Sequence, residues 1–215
     1  ALRTVGIPAR QVYTPRWALC DDNHAWVEAW VDGQWHFLGA CEPEPVLDLG
    51  WFNEPASRTL LLHTRVFGDY DGPEEVISRN KYFTEINVVD NYGQTAKTTF
   101  TEVDGNGIPQ ANIPVEFKIY NYAEFCTVVT KTTDENGQTW MTSGLGCMMA
   151  YAAKDGKFGF EVFKSGEKEN VTITLNHEKG GKEVFEYDMV PPAPTSVLPE
   201  VTEDHRNTAY IPARW

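Results

Sequence analysis

The sequence predicts an α+β unit with an antiparallel hairpin, followed by an all-β sandwich. Alternating segments at 25–31 and 34–38 are joined by Asp32-Gly33, a dipeptide that accepts the positive φ angles of a two-residue turn. Helix signals surround this hairpin. Beyond Lys81, short segments rich in Thr, Val, Ile and Phe alternate with turns, which is typical of an antiparallel sandwich.

Three helix signals lie in the first unit. The stretch from Leu2 to Val5, followed by Gly6-Ile7-Pro8, predicts the last turn of a helix that glycine ends. A short helix is expected around Pro55 to Leu62, and Gly72-Pro73-Glu74-Glu75 suggests another helix start. These signals supply the α part of the expected unit.

Turn signals divide the second unit into strands, at residues 91–93, 104–107, 135–137 and 155–156. The proline-rich stretch from Val190 to Pro194 cannot continue a sheet. We therefore expect the α+β unit at residues 1–79, the sandwich at 80–190, and a linker or tail at 191–215.

The composition excludes several classes of function. Thirty-one acidic residues against 18 Lys and Arg give a formal net charge of -13 over 215 residues, so nucleic acid and anionic membranes are not expected partners. The sequence has no apolar run of the roughly 20 residues that a membrane span needs. The four cysteines have no zinc-like spacing. We expect neither a metal nor a cofactor.

The first strand of the hairpin places a histidine beside two indoles. Alternate residues share a face of a strand, so His24, Trp26, Glu28 and Trp30 point the same way. With the turn at Asp32-Gly33, three pairs face each other, and the same register brings His24 near Cys41 and Glu42. The three pairs are Val31 with Gln34, Trp30 with Trp35, and Glu28 with Phe37.

A histidine oriented by a carboxylate supplies two of the three groups of a Cys-His-acid site. The imidazole can take the proton of a thiol and later protonate the leaving amine, while the acid fixes the imidazole tautomer. An isolated histidine on an aromatic face is by default a hydrogen-bonded core residue. The motif around His24 favours the catalytic interpretation.

Three segments together resemble the transglutaminase-like superfamily: RTVGIPAR at residues 3–10, HAWVEAWVDGQW at 24–35, and CEP at 41–43. The sequence also resembles the variant found in large Bacteroides-type surface proteins. The second unit is similar to prealbumin-like or carboxypeptidase-regulatory-like sandwiches through residues 107–117. The resemblance implies a papain-like α+β first unit, and an extracellular, cell-surface or periplasmic protein.

The resemblance also implies the catalytic residues. Its histidine matches His24, and its acid, which follows the next strand, matches Glu42. Its nucleophilic cysteine begins the helix that leads into residues 3–10, so it is expected upstream of Ala1, and this stretch alone is expected to be catalytically incomplete. The family usually has Asp near the position of Gly39. A bulge at Gly39-Ala40 would bring Glu42 to His24, whereas a regular ladder would bring Cys41 instead.

Other residues near the motif receive separate interpretations. Trp17, in a polar loop, and Trp26, beside His24, are the candidate substrate-binding residues. Glu28 is more readily structural, either as a hydrogen-bond acceptor that orients its neighbours or as a solvated residue. Cys126 and Cys147 flank an expected hairpin centred on 135–137, where two buried thiols are favoured over a disulfide.

The expected function is acyl transfer at an amide by a cysteine hydrolase or acyltransferase, with hydrolysis favoured over cross-linking. The expected partner is a peptide, glycopeptide or cell-wall amide substrate. One alternative is a non-catalytic surface protein whose first unit has lost its nucleophile and which, with the sandwich, binds peptide or glycan. Another makes the sandwich a spacer that holds the first unit away from the cell.

Overall fold

A computed structural model describes residues 1–41, 44–178 and 180–200. The chain is nearly all β, so the predicted α+β, papain-like first unit is wrong. The strands are β1 Ala9–Thr14, β2 His24–Val31, β3 Gln34–Leu38, β4 His63–Phe67, β5 Val76–Arg79, β6 Phe83–Asn87, β7 Thr95–Asp104, β8 Pro114–Asn121, β9 Glu124–Thr132, β10 Gln138–Gly144, β11 Cys147–Lys154, β12 Lys157–Lys164, β13 Asn170–Leu175 and β14 His177–Glu178.

Within the described residues, the three helix signals correspond to no helix longer than five residues. Gly6, at φ 83°, ends only a single 3-10 turn, Leu2–Val5. The one α-helix of the described chain, α1 Asn53–Ser57, is five residues long, and a second 3-10 turn spans Val89–Asn91. No helix follows Gly72, because residues 76–79 enter a strand immediately.

The first unit is one six-stranded sheet in the order β3-β2-β1-β4-β6-β5, with every neighbouring pair antiparallel. Asp32 and Gly33 both have positive φ, as the two-residue turn between β2 and β3 requires. The predicted pairs Val31 with Gln34, Trp30 with Trp35, and Glu28 with Phe37 are confirmed. The local pattern therefore predicted this hairpin residue by residue.

The second unit consists of two facing sheets. The three-stranded sheet has the order β10-β7-β13, and the five-stranded sheet has the order β14-β12-β11-β8-β9. Phe100 of the first sheet lies edge-on to Phe117 and Phe163 of the second, with both ring centroids 4.9 Å away. This sandwich-like arrangement agrees with the sequence, except that β13 pairs with β7 in parallel.

The turn at 135–137 does not close a hairpin. It joins β9 of the five-stranded sheet to β10 of the three-stranded sheet, so it crosses from one layer to the other. Cys126 and Cys147 therefore lie on different strands, and both are free thiols, as are Cys20 and Cys41. Both thiols are half-buried rather than buried as expected, and the preference for thiols over a disulfide stays a prediction.

The two units share a polar junction. The Glu75 carboxylate pairs with the Lys131 ammonium of β9 and accepts a hydrogen bond from the Thr142 amide of β10 at 3.0 Å. Asn87 donates from its side chain to the Thr142 carbonyl at 2.8 Å. Leu60 also packs into the sandwich core. The first sheet is therefore bonded to both layers of the sandwich.

The chain returns to the first unit after the sandwich. Arg58 donates to the carbonyl of Pro192 at 2.6 Å, and the Thr195 hydroxyl donates to the carbonyl of Ser57 at 3.1 Å. Ser196 forms an isolated bridge with Gly93. These contacts position residues 192–196 against α1. The boundaries expected at 79/80 and 190/191 stay predictions.

One buried acid has no hydrogen-bonding partner among the described residues. Glu102, on β7, is 0% exposed, and both of its carboxylate oxygens are unpaired. Burial raises its pKa to about 8 from an ordinary value of 4.5. Glu102 is therefore held protonated in the folded protein at neutral pH.

We expect the stability of the chain to fall as pH rises from 4.5 to 8, because over that range Glu102 keeps its proton only when folded. The slope from this group is roughly 1.4 kcal/mol per pH unit. Glu102→Gln removes the titration and should flatten the slope. Urea unfolding at several pH values measures it. Equal slopes in both proteins would contradict the assignment.

Candidate functional site

His24 begins β2 and lies within a group of aromatic rings. The ring of Trp17 is nearly parallel to that of His24, at 25° and 6.1 Å between centroids, and Trp26 lies 5.8 Å away. Trp51 and Phe52 are closer, at 4.9 and 5.1 Å. The structure thus brings together three of the four predicted site residues, His24, Trp17 and Trp26.

The strand pairing explains why this face holds the imidazole. His24 pairs with Thr14 at the end of β1, and Trp26 pairs with Val12, so these side chains share one face of the sheet. Phe52, which precedes α1, stacks on Trp26 at 4.8 Å and 28°. His24 therefore lies on a face of the sheet that is formed mainly by apolar and aromatic side chains.

A buried hydrogen-bond network holds the indole of Trp26, the neighbour of His24, in place. The Trp26 indole N–H donates to the Tyr92 hydroxyl at 2.7 Å, and this hydroxyl donates to Glu28 Oε1 at 2.7 Å. Arg10 Nε donates to Glu28 Oε2 at 2.5 Å, and its guanidinium stacks over Trp35 at 4.1 Å. The carboxylate of Glu28 thus has a partner on each oxygen, as the structural interpretation of that residue predicted.

Tyr92 stays protonated in this network. Burial, and secondarily the charge of Glu28, raise the pKa of the Tyr92 phenol well above its usual value of 10. A protonated Tyr92 can donate to Glu28 while accepting from Trp26. The turn signal at 91–93 gave no indication that this ring is 1% exposed.

The assignment of the acid stays a prediction. Glu42 lies outside the described residues. The paired part of β3 ends at Leu38, before the expected bulge at Gly39-Ala40, and Cys41 is exposed. Ladder register therefore does not choose between Cys41 and Glu42.

A second histidine–carboxylate pair lies on the same hairpin. His36 Nδ1 is 2.5 Å from Asp48 Oδ2, and the other Asp48 oxygen accepts from the Phe37 amide at 2.9 Å. His36 pairs with Ala29 on β2, one position out of phase with Glu28, so its side chain lies on the opposite face from His24. Through these two contacts Asp48, which follows β3 in sequence, is bonded back to β3.

Three residues of this region were not predicted from the sequence: Trp51, Tyr92 and Asp48. Trp51, 59% exposed, is an accessible ring of the site, whereas Trp26 is 1% exposed. Tyr92 and Asp48 contribute through contacts distant in sequence, which periodicity cannot reveal. The roles of Trp17 and Trp26 in substrate binding stay predictions.

The reverse face of the sheet carries a groove of about 900 Å³. Its lining includes Tyr13, Val27, His63 and Arg65, and does not include His24. Since Tyr13 and Val27 alternate with the residues of the His24 face, this concavity is separate from the candidate site.

The comparisons with known proteins agree with part of this picture. Residues 1–40 match the model of the transglutaminase-like superfamily, a stretch that holds Arg10, His24, Glu28 and His36. No curated protein matches the chain. Within residues 1–41, 44–178 and 180–200, no helix is long and apolar enough to cross a membrane.

Among solved structures, the chain is similar to a streptococcal ancillary pilin, at 12% identity and a TM-score of 0.32. The similarity covers 78% of this chain and 61% of the pilin chain. At this TM-score it supports no inference about function. The Bacteroides-type variant and the prealbumin-like sandwich stay predictions.

We expect the Glu28 network to be essential to stability. Glu28→Ala leaves the buried guanidinium of Arg10 without its carboxylate and should cost about 3–5 kcal/mol of unfolding free energy. Tyr92→Phe removes one hydroxyl and should cost about 1–3 kcal/mol. Denaturant unfolding measures both. A loss below about 1 kcal/mol in Glu28→Ala would show that the pair is not structural.

Proposed function

We propose that this chain carries the histidine strand of a transglutaminase-like thiol site that cleaves an amide through a thioester. The observation that carries the proposal is His24, which lies inside the stretch that matches the superfamily and is half-buried against the rings of Trp17 and Trp51. Apolar walls of this kind limit water around a proton-transfer group, and His24 itself stays partly exposed.

The proposed reaction has two halves. The cysteine implied upstream of Ala1 gives its proton to His24, and the thiolate attacks the amide carbonyl. The C–N bond breaks, and the amine leaves with the proton that His24 held. Water then attacks the thioester, releasing the acid and restoring the thiol. Glu42 is the proposed orienting acid, and Trp17 and Trp26 the proposed substrate walls.

Several proposals about the parent protein follow from this assignment. The substrate is a peptide, glycopeptide or cell-wall amide, hydrolysed rather than cross-linked, and the protein lies at the cell surface, outside the cell or in the periplasm. The composition supports them only in part, since a strongly acidic chain favours neither nucleic acid nor an anionic membrane surface.

The test uses the parent protein with its upstream residues. A thiolate paired with an imidazolium reacts with iodoacetamide at pH 6, where an ordinary thiol is almost fully protonated. We expect His24→Gln to slow alkylation of the upstream cysteine by roughly 100-fold at pH 6. Peptide mass spectrometry separates that cysteine from Cys20 and Cys41.

Two comparisons make this measurement specific. His177→Gln, in the sandwich, should leave the alkylation rate unchanged. If His36→Gln slows the reaction and His24→Gln does not, the role belongs to the His36–Asp48 pair and the proposal fails. The absence of a cysteine about one helix length before Gly6 in the parent sequence would also end it.

A second candidate function rests on the outer face of the five-stranded sheet. The rings of Phe158 and Phe160 are nearly parallel, at 12° and 6.3 Å between centroids, and Tyr151 stacks near Phe158 at 27° and 6.0 Å. His177 continues the row, 5.2 Å from Phe158. Phe185 and Tyr187 extend the cluster, with their rings edge-on to Phe160 at 4.8 and 6.1 Å. The exposed parts of such a cluster can pack against the apolar faces of sugar rings. This supports the alternative of a glycan-binding surface protein.

If this face binds glycan, Phe160→Ala should lower the binding affinity by roughly tenfold or more, because it removes one ring against which a sugar packs. The measurement is titration calorimetry with a soluble polysaccharide selected on a glycan array. Tyr120→Ala is the matched control, because Tyr120 is an exposed ring on β8 that packs against Phe125 rather than against this row. Equal affinities in the two variants would exclude the row.

A further inference from the structure

We propose that Asn121, at the end of β8 in the sandwich, is a positioning residue for the His24 site and acts through the loop of residues 15–22. This inference rests on the proposed function for its catalytic meaning. The contact itself is independent of any reaction. Through this contact the sandwich would help to position the His24 site, rather than serve only as a spacer.

The side chain of Asn121 holds two points of that loop. Its Nδ2 donates to the carbonyl of Trp17 and to the carbonyl of Cys20, both at 2.8 Å. Asn121 is 2% exposed, so neither bond competes directly with water. Both hydrogens of the amide nitrogen are therefore used across more than 100 positions of sequence.

The turn next to Asn121 adds a third bond. The amide of Tyr122 donates to Asp21 Oδ1 at 2.6 Å. Tyr122 and Ala123 have φ of 53° and 57°, the conformation of a tight two-residue hairpin turn. Because this turn closes the paired strands β8 and β9, its donors are held in fixed directions.

The loop transmits this restraint to the imidazole. The Trp17 amide donates to the Asp22 carbonyl at 3.0 Å, which closes the loop on itself. The Trp17 ring, 3% exposed, stacks on His24. A shift of the Trp17 backbone must therefore move the ring that flanks the imidazole, or open space beside it.

The junction at Glu75 supplies the necessary control. Glu75 also joins the first sheet to the sandwich, through Lys131 and the Thr142 amide, but it has no bond to the loop of residues 15–22 among its described contacts. Weakening it loosens the same pair of units at a different place. An effect specific to Asn121 can thus be separated from a general loss of packing between the units.

The experiment replaces Asn121 by Leu, which is similar in size, uncharged and unable to donate. Hydrogen exchange, read by mass spectrometry, should become at least roughly tenfold faster for loop amides such as that of Trp17, and stay unchanged in β11 and β12. The NMR signals of the His24 ring protons should shift, because the ring current of the stacked Trp17 acts on them. Glu75→Gln should leave both the loop exchange and the His24 signals as in the wild type.

Three results would overturn the inference: unchanged loop exchange in a folded Asn121→Leu protein, unchanged NMR signals of the His24 ring, or equal changes in Glu75→Gln. If Asn121→Leu does not fold, Asn121→Ala removes the same two donors without adding charge or bulk, and the exchange measurement is repeated on it. These readouts need no nucleophile. The alkylation test of His24 can therefore fail while the Asn121 result stands, and the reverse also holds.

Discussion

The carboxylate of Glu28 is the constraint on which the first unit depends. A charge this deeply buried is tolerated only with partners on its oxygens, and Arg10 and Tyr92 fill those positions. The three residues come from β2, from β1 and from the segment after β6. One ion pair thus fixes the relative placement of neighbouring strands, and through Tyr92 it also orients the indole of Trp26.

The predictable part of the structure is the part determined by neighbours in sequence. The Asp32-Gly33 turn and the period of two specified the β2–β3 register, and with it the face shared by His24, Trp26 and Glu28. The sandwich-like second unit followed from the spacing of its turns. Of the turn signals in the second unit, only the one at 155–156 joins two strands that pair with each other, β11 and β12.

The parts that could not be predicted depend on distant partners. The Gly-Pro signals near Gly6 and Gly72 indicate where a helix could end or begin. They do not indicate whether tertiary contacts extend that helix beyond one turn. Tyr92 and Asp48 join the site region only because the sheet brings their segments beside β2 and β3. The turn at 135–137 has a hairpin composition, yet the packing of two sheets makes it a crossing between layers.

The Glu75 junction has a consequence for how such a protein can be recombined in evolution. Lys131 and the Thr142 amide belong to strands of different sheets, and both bind one carboxylate of the first unit. A foreign sandwich joined at the same point would leave Glu75 buried without its cation. An exchange of modules would therefore require compensating changes on both sides of the junction.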